Sequence, residues 1–232
     1  MATSNPTAFS TTLTDATSRK LVLTPGGMAL RGPSAADTTL LKALARAFRW
    51  RRMLERHVST ANNRAVALTA SGEAVFPGNP LQVGVNGIAL SPDGETLYWG
   101  LTTGNGIFSA PAALLREPGT SPAALAAAVV GIAAPGGIDG VTVDARGRIY
   151  VVGITAGAVL RIDLRSGAVE RLTAPTGTVW PDSLGWTPDS VLLFTVNQLN
   201  RVFGGTASFA SGSGTFSVWR IPARQIAAAS AT

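Results

Sequence analysis

The chain has 232 residues, 46% of them apolar and 14% charged, a globular balance that excludes disorder throughout and a collagen-like repeat. A formal charge of +6 and a pI near 11 would normally point to polyanions, but the excess is confined to the first quarter. Residues 1–60 carry nine Lys/Arg against Asp15, Asp37 and Glu55, whereas residues 61–232 carry ten Arg against ten Asp/Glu, so nucleic acid is not an expected partner.

Residues 1–35 read as a disordered or irregular segment. The opening MATSNPTAFSTTLTDATSRK has no apolar h-region, so a secretory signal is not expected there. Residues 36–56 form the one long helical pattern: Asp37 can cap it, and Leu40, Leu44, Phe48 and Leu54 keep helical spacing against a basic side. This reads as a surface helix with a solvated arginine face rather than a membrane-lying one. No stretch reaches the roughly 20 apolar residues of a transmembrane helix.

Residues 57–224 change to short β-branched and aromatic runs between Gly, Pro, Asp and Asn, which is a strand-and-turn pattern. Ala65–Leu68 with Glu73–Phe76 is a weak strand pair. Residues 140–173 read as four consecutive strands (about Val141–Val143, Arg148–Val152, Val159–Asp163 and Val169–Leu172), with turns at Ala145–Gly147, Thr155–Gly157 and Arg165–Gly167. Four short antiparallel strands in about forty residues describe a propeller blade. The start of that unit recurs: Asn86-Gly, Asp139-Gly and Asp182-Ser each precede an apolar strand, an Asp/Gly turn and a second apolar strand. The intervals of 53 and 43 residues fit blades once a helix begun by Ser121-Pro122 is inserted in the first. Residues 204–214 read as a flexible loop, Phe216–Ile221 as a last strand and 225–232 as a frayed tail. The expected class is all-β, a β-propeller with three to four recognisable four-stranded blades.

The lack of cysteine removes thiolate and zinc-thiolate chemistry, and the single histidine, His57, removes a multi-histidine metal site. No G-x-S-x-G elbow is present, and a serine triad would have to recruit His57 from outside the repeats. Gly104-Asn105-Gly106 lacks the rest of a dinucleotide loop and reads as a hairpin turn.

Trp180-Pro181-Asp182, Ala113-Leu114-Leu115-Arg116 and Asn197-Gln198-Leu199 resemble the Yellow/major royal jelly protein family over about residues 50–222. RRMLERHVST (51–60) is similar to the stretch before the family's blades and brings His57 and Ser59 into register. Asn86-Gly and Asp139-Gly also resemble the related gluconolactonase/senescence-marker-protein group, in which Asn and Asp at such positions help hold a divalent metal on the channel axis. These resemblances imply a six-bladed propeller, of which this chain would supply an incomplete set. A second copy completing the ring, or strands from the first 60 residues, are the alternatives to truncation. The resemblance implies a commonly secreted family and leaves the compartment open.

Inner strands of a propeller begin at the channel, so Asn86, Asp139 and Asp182 are expected at its mouth, where oxygen donors suit Ca²⁺ or another divalent cation. The alternative is that they cap Asx turns. Asn86, Asp139, Trp180 and Asp182 are the candidate ligand-binding residues, Asn86 and Asp139 the candidate metal ligands, and Asp139 the candidate catalytic residue if the protein is an enzyme. Trp99, Trp186 and Trp219 are assigned to packing. The leading reading is a Yellow-like module that binds a small molecule at the channel mouth, without catalysis. The alternatives are a divalent-metal-dependent lactonase or esterase of the gluconolactonase type, and a truncated, non-catalytic interaction protein.

Overall fold

The structure is a computed structural model that describes residues 9–10, 68–75, 83–117, 119–173, 178–208, 216–221 and 226. The expected helix over 36–56, His57 and Ser59 lie outside the described residues, as does all but Ile226 of the expected tail.

Three four-stranded antiparallel sheets follow one another. The first runs β4 (Val85–Leu90), β5 (Thr96–Leu101), β6 (Ile107–Pro111) and β7 (Val130–Ala133). The second runs β8 (Ile138–Val143), β9 (Ile149–Gly153), β10 (Ala158–Ile162) and β11 (Val169–Thr173). The third runs β12 (Trp180–Trp186), β13 (Leu192–Asn197) and β14 (Ser217–Ile221), and its fourth strand is β1 (Phe9–Ser10), from the other end of the chain. A two-stranded sheet pairs β2 (Thr69–Ala70) with β3 (Glu73–Ala74). The fold is an all-β propeller arrangement, and the four strands expected over 140–173 are present.

Alternation along each strand splits the apolar residues between two neighbouring sheets. In β9, Ile149 and Val151 join Tyr98, Ile107 and Leu160 between the first and second blades, while Tyr150 and Val152 join Leu192, Phe194 and Ile221 between the second and third. A strand buried on both faces must be apolar throughout, which Ile-Tyr-Val-Val-Gly is. Trp99 is fully buried within the first blade's cluster, and Trp186 and Trp219 pack against the third's.

Turns in the second blade fall at Gly147 and Gly167, whose φ of 80° and 70° only glycine adopts without steric cost. The helix expected from Ser121 is Pro122–Ala127; the Ser121 side chain accepts from the amide of Ala124 at 3.1 Å, and Leu125 enters the first blade's core. This helix lies between β6 and β7, which accounts for the longer first repeat. Two further short helices, Ala112–Arg116 and Leu199–Phe203, are not evident in the periodicity. Of the early strand pair expected over Ala65–Leu68 and Glu73–Phe76, residues 65–67 and 76 lie outside the described residues; within them Ser71 (φ 50°) and Gly72 (φ 87°) make a two-residue turn that pairs Ala70 directly with Glu73.

Candidate functional site

The inner strands β4, β8 and β12 lie side by side, β8 in the middle. Each carries the same irregularity. Val85 to Ile88 on β4 spans Leu101 to Trp99 on β5, Ile138 to Val141 spans Gly153 to Val151, and Pro181 to Leu184 spans Val196 to Phe194. One extra residue on the inner strand is a β-bulge, which bends the strand and re-aims its side chains. The bulged dipeptides are Asn86-Gly87, Asp139-Gly140 and Asp182-Ser183.

The glycines there serve close approach. A Cβ built on Gly87 would lie 2.5 Å from the carbonyl oxygen of Asp139, and one on Gly140 would lie 2.6 Å from that of Asp182. The inner strands can nest only because both positions lack a side chain. Asn86 and Asp139 sit inside strands and bond across them, so the Asx-turn reading does not describe them. Turn-capping belongs to other aspartates: Asp144 Oδ1 accepts from the amides of Arg146 and Arg148 at 2.9 and 3.0 Å, and Asp163 Oδ1 from those of Arg165 and Ser166 at 3.0 and 2.7 Å.

Asp139 is the centre of the cluster, with 8% of its surface exposed. Asn86 Nδ2 donates to its Oδ1, and Trp180 Nε1 donates to its Oδ2 at 2.7 Å. Trp180, 3% exposed, opens β12 and packs with Leu68, Ala70, Val75, Ile154 and Val179. Asp182, two residues on, receives Asn197 Nδ2 at 2.8 Å and the Ser183 hydroxyl at 3.0 Å. The structure thus joins Asn86, Asp139 and Trp180 by hydrogen bonds, and brings Asp182 close enough to act on Asp139 by charge. Asn197, 3% exposed, is the member that sequence reasoning did not select as a site residue. Its signal is positional, since it ends β13 opposite Trp180.

Burial pushes the Asp139 carboxyl up to about 6; the Trp180 N–H holds it back, the Asp182 charge raises it further, and the Asn86 amide again holds it back. A carboxylate destabilised by burial and by a second carboxylate is a place where a cation would relieve the charge. The oxygens available fit a hard divalent ion in part: Asp139, Asp182 and the amide oxygen of Asn86, with water completing the shell. Among the described residues no group of three or more His, Cys, Asp or Glu converges. Larger clefts of 470 and 530 Å³ open beside the 144–147 turn, at the opposite end of β8 from Asp139. The Asp144 carboxylate there is spent on Arg148 Nε at 2.6 Å and the Tyr150 hydroxyl at 3.0 Å.

The SMP-30/Gluconolactonase/LRE-like family profile matches residues 53–186, more than half of the chain and all three bulges. The chain belongs to this family. Of the two resemblances read from the sequence, the lactonase group is therefore the one that family comparison supports, and the Yellow assignment receives no such support. No match is found among the curated proteins. Similar solved structures include a gluconolactonase from Xanthomonas campestris (19% identity, TM-score 0.41, covering 51% of this chain and 36% of that one). A regucalcin from Agrobacterium tumefaciens, described as a calcium-binding protein, matches at 23% identity and TM-score 0.36 over 65% of this chain and 53% of that one. A virginiamycin B lyase from Staphylococcus aureus matches at 15% and 0.37 over 55% and 36%. The chain thus spans about half or less of these relatives' length. No described helix is long and apolar enough to cross a membrane.

Proposed function

We propose that this SMP-30/gluconolactonase-family chain carries part of a divalent-metal-dependent lactone or ester hydrolase site at the channel mouth. The observation that carries this reading is the buried Asp139 carboxylate, raised to about 6, between an exposed amide, Asn86, and a second carboxylate, Asp182. Asp139 and Asn86 would hold the cation, with Asp182 adding negative charge beside them. A divalent cation there would supply the positive charge that polarises a lactone or ester carbonyl.

The chain's own residues do the remaining work. Above pH 6 Asp139 is ionised and serves as the cation's ligand or as the base that takes a proton from water adding to the carbonyl. Asn86, exposed at the mouth, is placed to hydrogen-bond the substrate's oxygens. Hydrogen bonds from the strands on either side of β8, Asn86 on β4 and Trp180 on β12, hold Asp139 against reorientation. The domain division (1–35, 36–56, 57–224 and 225–232) and a second copy completing the ring belong to this proposal as well.

The test uses the full chain, dialysed and analysed for metal, then assayed for hydrolysis of a sugar lactone with added Ca²⁺, Mn²⁺ or Zn²⁺. A stoichiometric divalent ion and metal-dependent hydrolysis, both lost in Asp139→Ala, are expected. A metal-free protein without hydrolysis that binds an aromatic amine would replace this reading with the small-molecule binding module.

A further inference from the structure

Trp180 has the residue type of a stacking platform for a ligand, yet its surroundings assign it other work. It is 3% exposed, enclosed by Leu68, Ala70, Val75, Ile154 and Val179. An indole has one polar atom, a donor with no acceptor capacity, and here that donor points at Oδ2 of Asp139 from 2.7 Å in a buried bond. Asp139 lies on β8 and Trp180 on β12, so the bond ties the second blade to the third at the site itself.

The consequence is geometric. A carboxylate whose Oδ2 is engaged by a fixed N–H cannot rotate to offer both oxygens to one side of the site. Its Oδ1 is the oxygen that accepts from Asn86 Nδ2, and that oxygen keeps a second lone pair. The indole is held in turn. The Ser71 hydroxyl, at the tip of the β2–β3 hairpin, donates to the carbonyls of Thr178 and Val179 at 2.8 and 3.2 Å, the two residues leading into Trp180. Glu73 of the same hairpin receives Asn200 Nδ2 at 3.0 Å and pairs with Arg201, both on the short helix after β13. The hairpin therefore fixes the approach to β12 from one side and is anchored to the third blade from the other.

We infer that Trp180 is a positioning residue: its N–H occupies Oδ2 of Asp139 and leaves Oδ1 as the single oxygen that this carboxylate presents to a divalent cation or substrate. The inference rests on the proposed lactonase site for its cation, and on the hydrogen bond alone for Trp180's hold on the carboxylate. Hydrogen-bond partners behind metal ligands orient those ligands, and losing one weakens metal binding roughly ten- to a hundredfold.

Two measurements on the full chain test it. The first is Mn²⁺ affinity, read by electron paramagnetic resonance, in the unaltered protein, Trp180→Phe and Trp180→His. Phenylalanine keeps an aromatic ring but has no N–H, whereas the imidazole returns an N–H at the same ring position. Affinity is expected to fall roughly ten- to a hundredfold in Trp180→Phe and to recover in part in Trp180→His. Equal Mn²⁺ binding by the unaltered protein and Trp180→Phe would overturn the inference.

The second measurement needs neither metal nor a variant at Trp180 that folds. In ¹⁵N-labelled protein the Trp180 indole N–H signal should be shifted downfield, exchange slowly and move in Asp139→Asn. A signal unaffected by that substitution overturns the inference. Should the unaltered protein bind no Mn²⁺, the lactonase reading fails, and the indole signal alone decides whether Trp180 holds Asp139.

Discussion

Replacing Asp139 by asparagine should stabilise the protein at neutral and alkaline pH. The carboxyl rises from an ordinary 3.8 to about 6 on folding, chiefly through burial. Below pH 3.8 it is protonated in both states and contributes nothing. Between 3.8 and 6 the unfolded chain ionises first and is favoured; above 6 the full cost of a buried charge is present. At about 1.4 kcal/mol for each tenfold change in proton affinity, the cost is about 1 kcal/mol at pH 4.5 and about 3 kcal/mol at pH 8. The asparagine side chain in Asp139→Asn would keep an oxygen for Trp180, and its amide could donate to Asn86 once that side chain turns over, so the hydrogen bonds survive the change. Urea denaturation of both proteins at the two pH values isolates the effect of Asp139 and its coupling to Asp182, because the carboxylates remote from Asp139 cancel in the difference. Asp139→Asn should gain on the unaltered protein by about 2 kcal/mol between pH 4.5 and pH 8. A difference that does not change with pH, or that turns against the variant at pH 8, would refute the account of Asp139 as a buried, destabilised carboxylate.

Gly140→Ala places a Cβ 2.6 Å from the backbone of Asp182 and should cost about 1–3 kcal/mol in thermal denaturation. Gly185→Ala, in a strand with nothing within 4 Å of the new methyl, should stay within about 0.5 kcal/mol. Phe194→Ala empties a site that is 1% exposed between the second and third blades, with an expected loss of about 3–5 kcal/mol by urea denaturation. Glu73→Gln breaks a pair whose side chains are 43% and 37% exposed; it should cost under about 1 kcal/mol, and less in high salt.

The second blade is legible in the sequence because two signals agree there: short apolar runs follow one another with little interruption, and the turn glycines Gly147, Gly157 and Gly167 fall at even intervals. The blade starts at Asn86, Asp139 and Asp182 are legible as a repeat. What those residues do is not. Asn-Gly and Asp-Gly carry the same letters whether glycine supplies a left-handed turn or room for a neighbouring backbone, and only the pairing of β4, β8 and β12 separates the two. The bond from Trp180 to Asp139 joins residues 41 positions apart, beyond the reach of any local pattern. The helix at Leu199–Phe203 is too short for periodicity to reveal. The early hairpin is visible in the sequence but its register is not, because the Ser71-Gly72 turn sets it.

The bulge recurs at one place in three consecutive blades, which makes the cluster an inheritance of the repeat rather than an invention of one strand. Each copy carries its bulge at the same place, and a single letter per copy, asparagine or aspartate, then sets how much negative charge the three adjacent inner strands present together. The apolar cores between blades take no part in that choice. The charge of the cluster can therefore be retuned one position at a time, and each buried charge carries its own cost in stability.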